Sequence, residues 1–290
     1  MSRSPTRSRN VPLRNAGRDG AGEPPGAARM VSLEGTLDGR RVRIARLDRA
    51  FIVAGSGGAG GAGEVAAAAI EEARETGHSL LLALTPESGR LAALDGFRPL
   101  PCSEAACRTV LPVPWPKEPE WLRSGDDPLR CVPGLRPWRP DDLDEVAAIH
   151  AEAVAGQRLR IDRDRETWRR IVPAEDAPFR VIERGGRVDA YVLLGAGQPT
   201  LRWREHGARR GAEDLLVDLF WSVLAWARGA GLQRIEGWCM PEVLTVQPLY
   251  PTSDRSRKGS VPMLRALDPK TPLPDFRRED ECRLWELDAI

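Results

Sequence analysis

Residues 51–66 read Phe-Ile-Val-Ala-Gly-Ser-Gly-Gly-Ala-Gly-Gly-Ala-Gly-Glu-Val-Ala, an apolar run followed by a glycine-rich stretch and the start of an alanine-rich segment. Glycines between a strand and a helix let the backbone pass close to a bound group. The free N–H groups at a helix start favour an anion there. A phosphate cradle, a dinucleotide-binding turn and a flexible linker are three alternatives, and the flanking sequence has to distinguish them.

The residues on either side of the glycines have the pattern of a strand–helix–strand unit. The apolar run 50–54 predicts a short buried strand, and residues 64–76 predict a helix that ends at Gly77. Residues 79–84, Ser-Leu-Leu-Leu-Ala-Leu, predict a central strand covered on both faces. The other predictions for this half are strands at 31–36, 41–47 and 108–112, a hairpin turn at Asp38-Gly39 and a helix at 90–94.

A second α/β unit is predicted from Gly134 onward. Its clearest local signal is a β-hairpin across Gly185-Gly186. Residues 227–242 also resemble residues 73–87, because both read as a helix end, a glycine, a strand and Pro-Glu, which is typical of a duplicated domain. The predicted strands are 135–137, 179–184, 188–194, 200–203, 234–239 and 261–267, and the predicted helices are 141–154, 165–172 and 212–227. The last of these helices is apolar on nearly every side, which predicts that it is deeply buried.

Composition divides the chain into four segments. Residues 1–29 are rich in Arg, Pro, Gly and Ser and predict a disordered basic leader, a composition also typical of an organelle transit peptide. Residues 30–112 form the first predicted domain. Residues 113–133 contain several prolines and predict a stiff linker that its tryptophans hold against a domain surface. Residues 134–290 form the second predicted domain.

The overall composition excludes several classes of function. Net charge is +1, with 43 basic and 42 acidic residues, so no global field attracts nucleic acid. No apolar run is long enough to span a membrane. The 5 cysteines and 3 histidines are scattered without ligand spacing, which predicts no metal site. Without a secretory signal, the cysteines predict reduced thiols in a cytoplasmic protein.

The glycines do not fit two well-known nucleotide-binding motifs. Gly55, Gly57 and Gly60 formally match G-x-G-x-x-G, but no acidic residue stands about 20 residues on, at a strand end, to hold a ribose. A phosphate-binding P-loop needs Gly-Lys-Ser/Thr, whereas Gly63 is followed by Glu64. A dinucleotide-binding protein is therefore the weaker alternative.

The spacing of Gly58, Gly60, Gly61 and Gly63 is similar to Q/R-x-x-G-x-G/A, the pyrophosphate loop of the GNAT acyltransferase superfamily. Residues 91–97, Leu-Ala-Ala-Leu-Asp-Gly-Phe, resemble that family's F-Y-x-x-L-G-F, and the second unit resembles a complete family domain in its order of elements. The resemblance implies a mixed α/β (α+β) fold. It implies two GNAT-like mixed-sheet domains flanked by helices, the first of them truncated and degenerate.

The resemblance also implies an activity, acyl-CoA-dependent N-acetyl transfer from acetyl-CoA to a small-molecule or amino-terminal amine. In such enzymes the amine attacks the thioester directly, so positioning and a proton acceptor account for most of the catalysis. The implied cofactor-binding residues are the loop glycines Gly58, Gly60, Gly61 and Gly63, with the pantetheine along Ile52, Val53 and Ala54.

Two departures from the family pattern favour a second hypothesis, a catalytically inactive ligand-binding or interaction protein. Gly58 replaces the loop's Arg or Gln, and Ala92 replaces the tyrosine that protonates the departing thiolate in the family. In the second unit Tyr250 lies near that tyrosine's place, and Glu242 is a candidate for the base. These two residues are the predicted catalytic groups.

The loop before the last long helix of the second unit does not align with the family motif. Glu205 and His206, next to this loop, are further candidates for the base. Arg209 and Arg210 either contact phosphates or form an ordinary solvated pair. Acidic residues interrupt the arginine-rich stretch 158–170, which indicates a solvated face rather than an RNA-binding one.

Overall fold

The computed structural model describes residues 9–10, 29–47, 59–85, 96–101, 104–109, 118–172, 179–195, 199–238, 261–278 and 281–282. Its strands are β1 (Arg9–Asn10), β2 (Arg29–Leu37), β3 (Arg40–Leu47), β4 (Leu80–Thr85), β5 (Phe97–Pro99), β6 (Glu104–Arg108), β7 (Leu135–Pro137), β8 (Leu159–Asp162), β9 (Phe179–Arg184), β10 (Arg187–Gly195), β11 (Thr200–Ala208), β12 (Arg234–Trp238) and β13 (Val261–Ala266). Its helices are α1 (Ala59–Glu75), α2 (Glu120–Ser124), α3 (Pro128–Cys131), α4 (Leu143–Val154), α5 (Arg165–Ile171) and α6 (Leu215–Gly229), and a 3-10 turn at Pro140–Asp142 precedes α4. The predicted strand 50–54 and helix 90–94 lie outside the described residues.

The strands form two mixed sheets. The first sheet has the order β1-β2-β3-β4-β13-β5, with β8 also paired to β2. The second sheet has the order β6-β12-β11-β10-β9-β7. In the second sheet, α4 and α6 both contact the central strands β10 and β11. The predicted fold class, mixed α/β with two helix-flanked sheets, is therefore confirmed.

The two hairpins follow directly from their turn residues. Asp38 and Gly39 have φ values of 47° and 77°, the left-handed conformations that a type I′ turn requires. This turn joins β2 to β3 in antiparallel register. Gly185 and Gly186 likewise have positive φ and join β9 to β10. Both predicted hairpins are confirmed.

The first long helix, α1, begins earlier than the sequence predicts. The predicted start at Glu64 follows from the low helix propensity of glycine. The helix instead begins at Ala59 and includes Gly60, Gly61 and Gly63. Extending an existing helix by one residue is much easier than starting a new one, and the alanine-rich later turns supply that existing helix. These glycines therefore form the start of a helix rather than a loop in front of it.

The two segments that resemble each other in sequence share the same local structure. β3–α1–β4 and β11–α6–β12 each join two parallel neighbouring strands through one helix. Both turns after the helices contain a left-handed glycine, Gly77 with φ 74° and Gly231 with φ 70°. In each case the next amide donates 2.9 Å back to a helix carbonyl, that of Ala73 or Ala227. The sequence resemblance thus reflects one repeated strand–helix–strand geometry.

Each half of the chain contributes a strand to the other half's sheet. β6 pairs antiparallel with β12 in the second sheet. β13 pairs antiparallel with β4 and β5 in the first sheet, and β8 pairs with β2. The predicted domain boundaries at 112 and 134 therefore do not separate the two sheets. Hydrophobic periodicity identifies a strand but not its partner, so the sequence does not reveal this exchange.

Each face of the second sheet is covered by its own hydrophobic cluster. On one face α6 buries Leu219 and Phe220 beside Trp203, as predicted for a helix that is apolar on nearly every side. On the other face α4 buries Val146 and Ile149. Part of the predicted linker joins the α6 side, where Trp121 packs against the core. This part of the linker is therefore held against the second sheet.

Three further observations concern the described residues. None of their helices has the length and apolar character that a membrane crossing requires. No group of three or more His, Cys, Asp and Glu side chains within these ranges is placed to hold a metal ion. Cys107, Cys131 and Cys282 are free thiols. Burial raises the pKa of Cys107 to about 12, so this thiol stays protonated and unreactive.

Candidate functional site

Three of the sequence-predicted binding residues lie at the start of α1. Gly60, Gly61 and Gly63 follow its first residue, Ala59. The first N–H groups of an α-helix have no acceptor within the helix and mark the positive end of its dipole. Because glycines have no side chain, a bound anion can approach these amides closely. The start of α1 is therefore suited to a phosphate group.

The chain topology places this helix start at the carboxyl edge of a parallel strand pair. β3 runs from Arg40 to Leu47, and β4 lies parallel beside it. Since α1 connects these two strands, it begins on the side where β3 ends. Ligands of α/β sheets bind at this edge, outside the carboxyl ends of the strands. The position of this helix start in the sheet and the chemistry of its amides are therefore both compatible with an anion there.

The other predicted site residues lie outside the described residues, and their roles stay predictions. They comprise the remaining loop glycine, the pantetheine strand and the two catalytic candidates: Gly58, Ile52, Val53, Ala54, Glu242 and Tyr250. The structure thus brings together the three later glycines of the predicted pyrophosphate loop.

In the second strand–helix–strand unit, β11 continues beyond its parallel pairing with β12. Their parallel pairing ends at Trp203 and Gly237, whereas β11 continues to Ala208 along β10. At this point the register between β10 and β11 shifts, so Arg204 is the extra residue of a β-bulge. At the end of the β11–β12 pairing the two strands lie close together, since a Cβ on Gly237 would lie 2.4 Å from the Trp203 carbonyl oxygen.

The bulge changes the face to which the next side chains point. Leu201 and Trp203 pack on the α6 side of the sheet, and strict alternation would send residue 205 to the same side. Glu205 instead lies on the α4 side, where His150 and Tyr191 contact its carboxylate. The bulge therefore places a carboxylate among polar partners rather than in the apolar core.

Glu205 is the centre of a buried polar group that we call the Glu205 cluster: His150, Arg163, Tyr191 and Glu205. Arg163 Nη1 donates to Oε2 at 2.7 Å, the Tyr191 hydroxyl donates to Oε1 at 2.6 Å, and His150 Nδ1 lies 3.1 Å from Oε1. The side chains of Arg163 and Glu205 are both 0% exposed. The Arg163 guanidinium also lies over the Trp168 ring, 4.8 Å from its centre, a cation–π contact.

Burial alone would raise the pKa of Glu205, because the carboxylate loses its hydration. The charges of Arg163 and His150, together with hydrogen bonds from His150 and Tyr191, more than offset this effect and lower the pKa to about 2. A general base works best with a pKa near the working pH. Glu205 is therefore a structural anion, which argues against its candidate role as the base.

His206, the neighbouring candidate for the base, is also engaged. Trp203 Nε1 donates to His206 Nδ1 at 3.0 Å, and both side chains are buried. Because Nδ1 accepts this bond, a proton on that nitrogen would break it. The contact therefore favours a packing role for His206, beside the end of the parallel pairing of β11 with β12.

The loop before α6 is a poorer phosphate site than the start of α1. Arg209 pairs with Glu145 at 3.1 Å and its side chain is 22% exposed. Its guanidinium is therefore already engaged by a carboxylate and is not available to a phosphate. Arg210 is 87% exposed, as the solvated alternative predicts. The amides of residues 215–217 already donate to the carbonyls of residues 212–214 at 3.0–3.1 Å. Few donors therefore stay available at this helix start.

Sequence reasoning missed the Glu205 cluster. It predicts a solvated face for the arginine-rich stretch 158–170, which is wrong for Arg163 because that side chain is fully buried. The partner of Arg163 lies 42 residues away in the sequence, on another element. A local pattern of charges does not reveal such a pair. The one available signal is the charged run Arg204-Glu205-His206 directly after apolar strand residues.

No protein family model matches the sequence, and no curated protein matches it. Solved structures do match. A GCN5-related N-acetyltransferase from Anabaena variabilis superposes with a TM-score of 0.54 at 16% identity, over 83% of this chain and 60% of that one. A GCN5-related N-acetyltransferase from Kribbella flavida gives a TM-score of 0.53 at 15% identity, over 83% and 57%.

An N-myristoyltransferase from Saccharomyces cerevisiae, solved with bound myristoyl-CoA, gives a TM-score of 0.55 at 11% identity, over 91% of this chain and 70% of that one. The chain therefore has the fold shared by GCN5-related N-acetyltransferases and N-myristoyltransferases, and the predicted GNAT-like fold is confirmed. It spans about 60% of the length of the first of these acetyltransferases.

Proposed function

We propose that the protein is an acyl-CoA-dependent N-acyltransferase that transfers an acetyl group from acetyl-CoA to the amine of a small molecule or an amino terminus, in the cytoplasm. The observation that carries the proposal is the glycine-rich start of α1 at the carboxyl edge of the parallel pair β3–β4. The N–H groups of its first turn, which have no acceptor within the helix, and the helix dipole suit the diphosphate of coenzyme A. A fold neighbour with bound myristoyl-CoA supports the class of donor.

The protein contributes to this reaction mainly by aligning the reactants and by accepting and donating protons. The acceptor nitrogen bonds to the thioester carbonyl carbon and the carbon–sulfur bond breaks, while the nitrogen loses a proton and the thiolate gains one. The chain has to hold the reactants in line and to accept and donate these protons. We assign acceptance to Glu242 and donation to Tyr250, both of which follow β12 in the sequence.

Thermal unfolding with added ligands tests donor binding. Acetyl-CoA and the unreactive analogue desulfo-CoA are each expected to raise the Tm, because a ligand that binds the folded state stabilises it. NAD is expected to leave the Tm unchanged. A response to NAD alone would support the dinucleotide alternative instead. In the described part of the first sheet, however, the single parallel pair is β3–β4, whereas dinucleotide-binding sheets are mostly parallel.

Transfer of acetyl groups to a panel of amines tests catalysis. Tyr250→Phe is expected to lower kcat while the Tm response to acetyl-CoA stays as in the wild type, because the phenol donates a proton and does not hold the donor. Unchanged kcat in this variant would remove Tyr250 from the mechanism. Myristoyl-CoA in place of acetyl-CoA tests the length of the acyl group.

A catalytically inactive GNAT-fold protein that binds a ligand or partner is the second candidate function. It is favoured by the state of Glu205, whose carboxylate is held by Arg163 and whose pKa is lowered to about 2. Binding of acetyl-CoA without turnover on any amine would support this candidate. Turnover on one amine of the panel would exclude it.

A further inference from the structure

A cavity of about 360 Å³ lies between the segment that contains α2 and α3 and the C-terminal half of α6. Its wall is mostly apolar and includes Leu122, Leu135 and Val223. Leu129 and Trp226 also line it, and they are the large apolar side chains that stay exposed among the described residues, at 43% and 36%. Cavities of this size and composition are typical of small-molecule sites.

Among the described residues, one cation in this wall has no acidic partner. Arg180, on β9, is half-buried, and its hydrogen bond goes to the carbonyl of its neighbour Phe179 at 3.2 Å. Burial lowers the pKa of Arg180, and no carboxylate among the described residues offsets this effect. A half-buried guanidinium without an acid is unfavourable, and a bound carboxylate would relieve that state through charge-assisted hydrogen bonds.

The other charged groups around the cavity already have partners. Arg228 pairs with Glu118. Asp127 caps α3 with its side chain, and Asp126 accepts a hydrogen bond from the Ser124 hydroxyl. The attraction for an anion is therefore concentrated at Arg180. The two aspartates disfavour a second negative charge on the same ligand, so the cavity suits a monoanion.

We propose that this cavity binds a carboxylate with a compact apolar body, such as a medium-chain fatty acid. The carboxylate lies on Arg180, and the apolar body lies against Leu135, Val223 and Trp226. The site is on the second sheet, along the end of α6, whereas the glycine-rich start of α1 belongs to a strand–helix–strand unit of the first sheet. The site therefore does not depend on the proposed acyl transfer.

Calorimetric titration of the full chain with octanoate, 1-octanol and octylammonium tests the site. These probes share one apolar chain and differ in charge. We expect saturable binding of octanoate, at least about tenfold tighter than binding of 1-octanol, since a hydrogen bond between two charged groups is stronger than one to a neutral hydroxyl. Octylammonium is expected to bind more weakly than the alcohol, because it brings a cation towards Arg180.

Two arginine variants on the same strand are matched for this test. In Arg180→Met, the affinity for octanoate is expected to fall to the affinity for 1-octanol. The affinity for 1-octanol itself is expected to stay as in the wild type. Arg184→Met removes an exposed arginine of β9 that does not line the cavity, and it is expected to change neither affinity. Trp226→Ala is expected to lower the affinity for both octanoate and 1-octanol, because it removes part of the apolar wall.

Several results would overturn the proposal. They are an absence of saturable octanoate binding to the wild type, equal affinities for octanoate and 1-octanol, and a preference for octanoate that survives Arg180→Met. If Arg180→Met does not fold, Arg180→Lys and the comparison of acid with alcohol on the wild type decide the matter. Arg180→Lys keeps the charge, so it is expected to retain the preference for the acid.

Discussion

Arg163→Met is expected to lower the free energy of unfolding by about 3–5 kcal/mol, the typical loss when one partner of a buried ion pair is removed. The side chains of Arg163 and Glu205 are both 0% exposed and lie 2.7 Å apart. Without the guanidinium, Glu205 keeps an unbalanced buried charge or takes up a proton. Its pKa then rises, because the largest opposing charge no longer offsets burial. Urea denaturation near neutral pH measures the loss.

Two further variants separate the effect of charge from that of packing. Arg163→Met combined with Glu205→Gln removes both charges, and it is expected to recover much of the lost stability. Arg160→Met breaks a partly exposed pair with Asp162, and it is expected to change stability by less than about 1 kcal/mol. If Arg163→Met is no more destabilising than this control, Glu205 is not a paired structural anion.

The same cluster determines part of the acid sensitivity of the fold. The pKa of Glu205 falls from an ordinary value of 4.5 to about 2 on folding, so folding favours the charged form. The stabilisation is complete above pH 4.5 and is lost as the pH falls from there towards 2. At about 1.4 kcal/mol per unit, the total is about 3 kcal/mol. The double variant at 163 and 205 is therefore expected to lose stability less steeply than the wild type over this range.

Local rules predicted those parts of the fold that depend on neighbouring residues. The Asp38-Gly39 and Gly185-Gly186 turns specify their hairpins because positive φ at both positions matches the strand twist. Gly77 and Gly231 end their helices for the same kind of reason. The apolar surface of α6 predicted its burial. Each of these predictions needs only residues within a single element or turn.

Features that depend on distant pairing were not predicted. The exchange of β6 and β13 between the sheets joins segments that lie far apart in the sequence. The β-bulge at Arg204 depends on how β11 meets β10, and it alone turns Glu205 towards Arg163. The predicted strand ends at Trp203, so it does not include Glu205, the central residue of the cluster, whereas the observed strand continues to Ala208. The sequence predicts an anion site at the glycine-rich start of α1, and it did not predict that these glycines are helical, because propensity alone disfavours a helix there.

Gly60→Ala combined with Gly61→Ala is expected to stabilise the fold and, under the proposed function, to weaken binding of acetyl-CoA by about a hundredfold or more. Both residues lie directly after the first residue of α1, where alanine is a better helix former than glycine by up to about 1 kcal/mol. The added methyl groups stand between the amides and a diphosphate. Loss of two charge-assisted hydrogen bonds, at about 1.5–3 kcal/mol each, accounts for the expected change in affinity.

The opposite signs of these two effects separate damage to the binding site from damage to the fold. Gly229→Ala is the matched control, because Gly229 is the last residue of α6 and a Cβ there meets nothing within 4 Å. Like the double variant, it is expected to raise the free energy of unfolding, but it is expected to leave the affinity for acetyl-CoA unchanged. Urea denaturation and calorimetric titration measure the two quantities on the same samples. Wild-type affinity in the double variant would mean that the diphosphate is held elsewhere, and the start of α1 would then lose its role as the donor site.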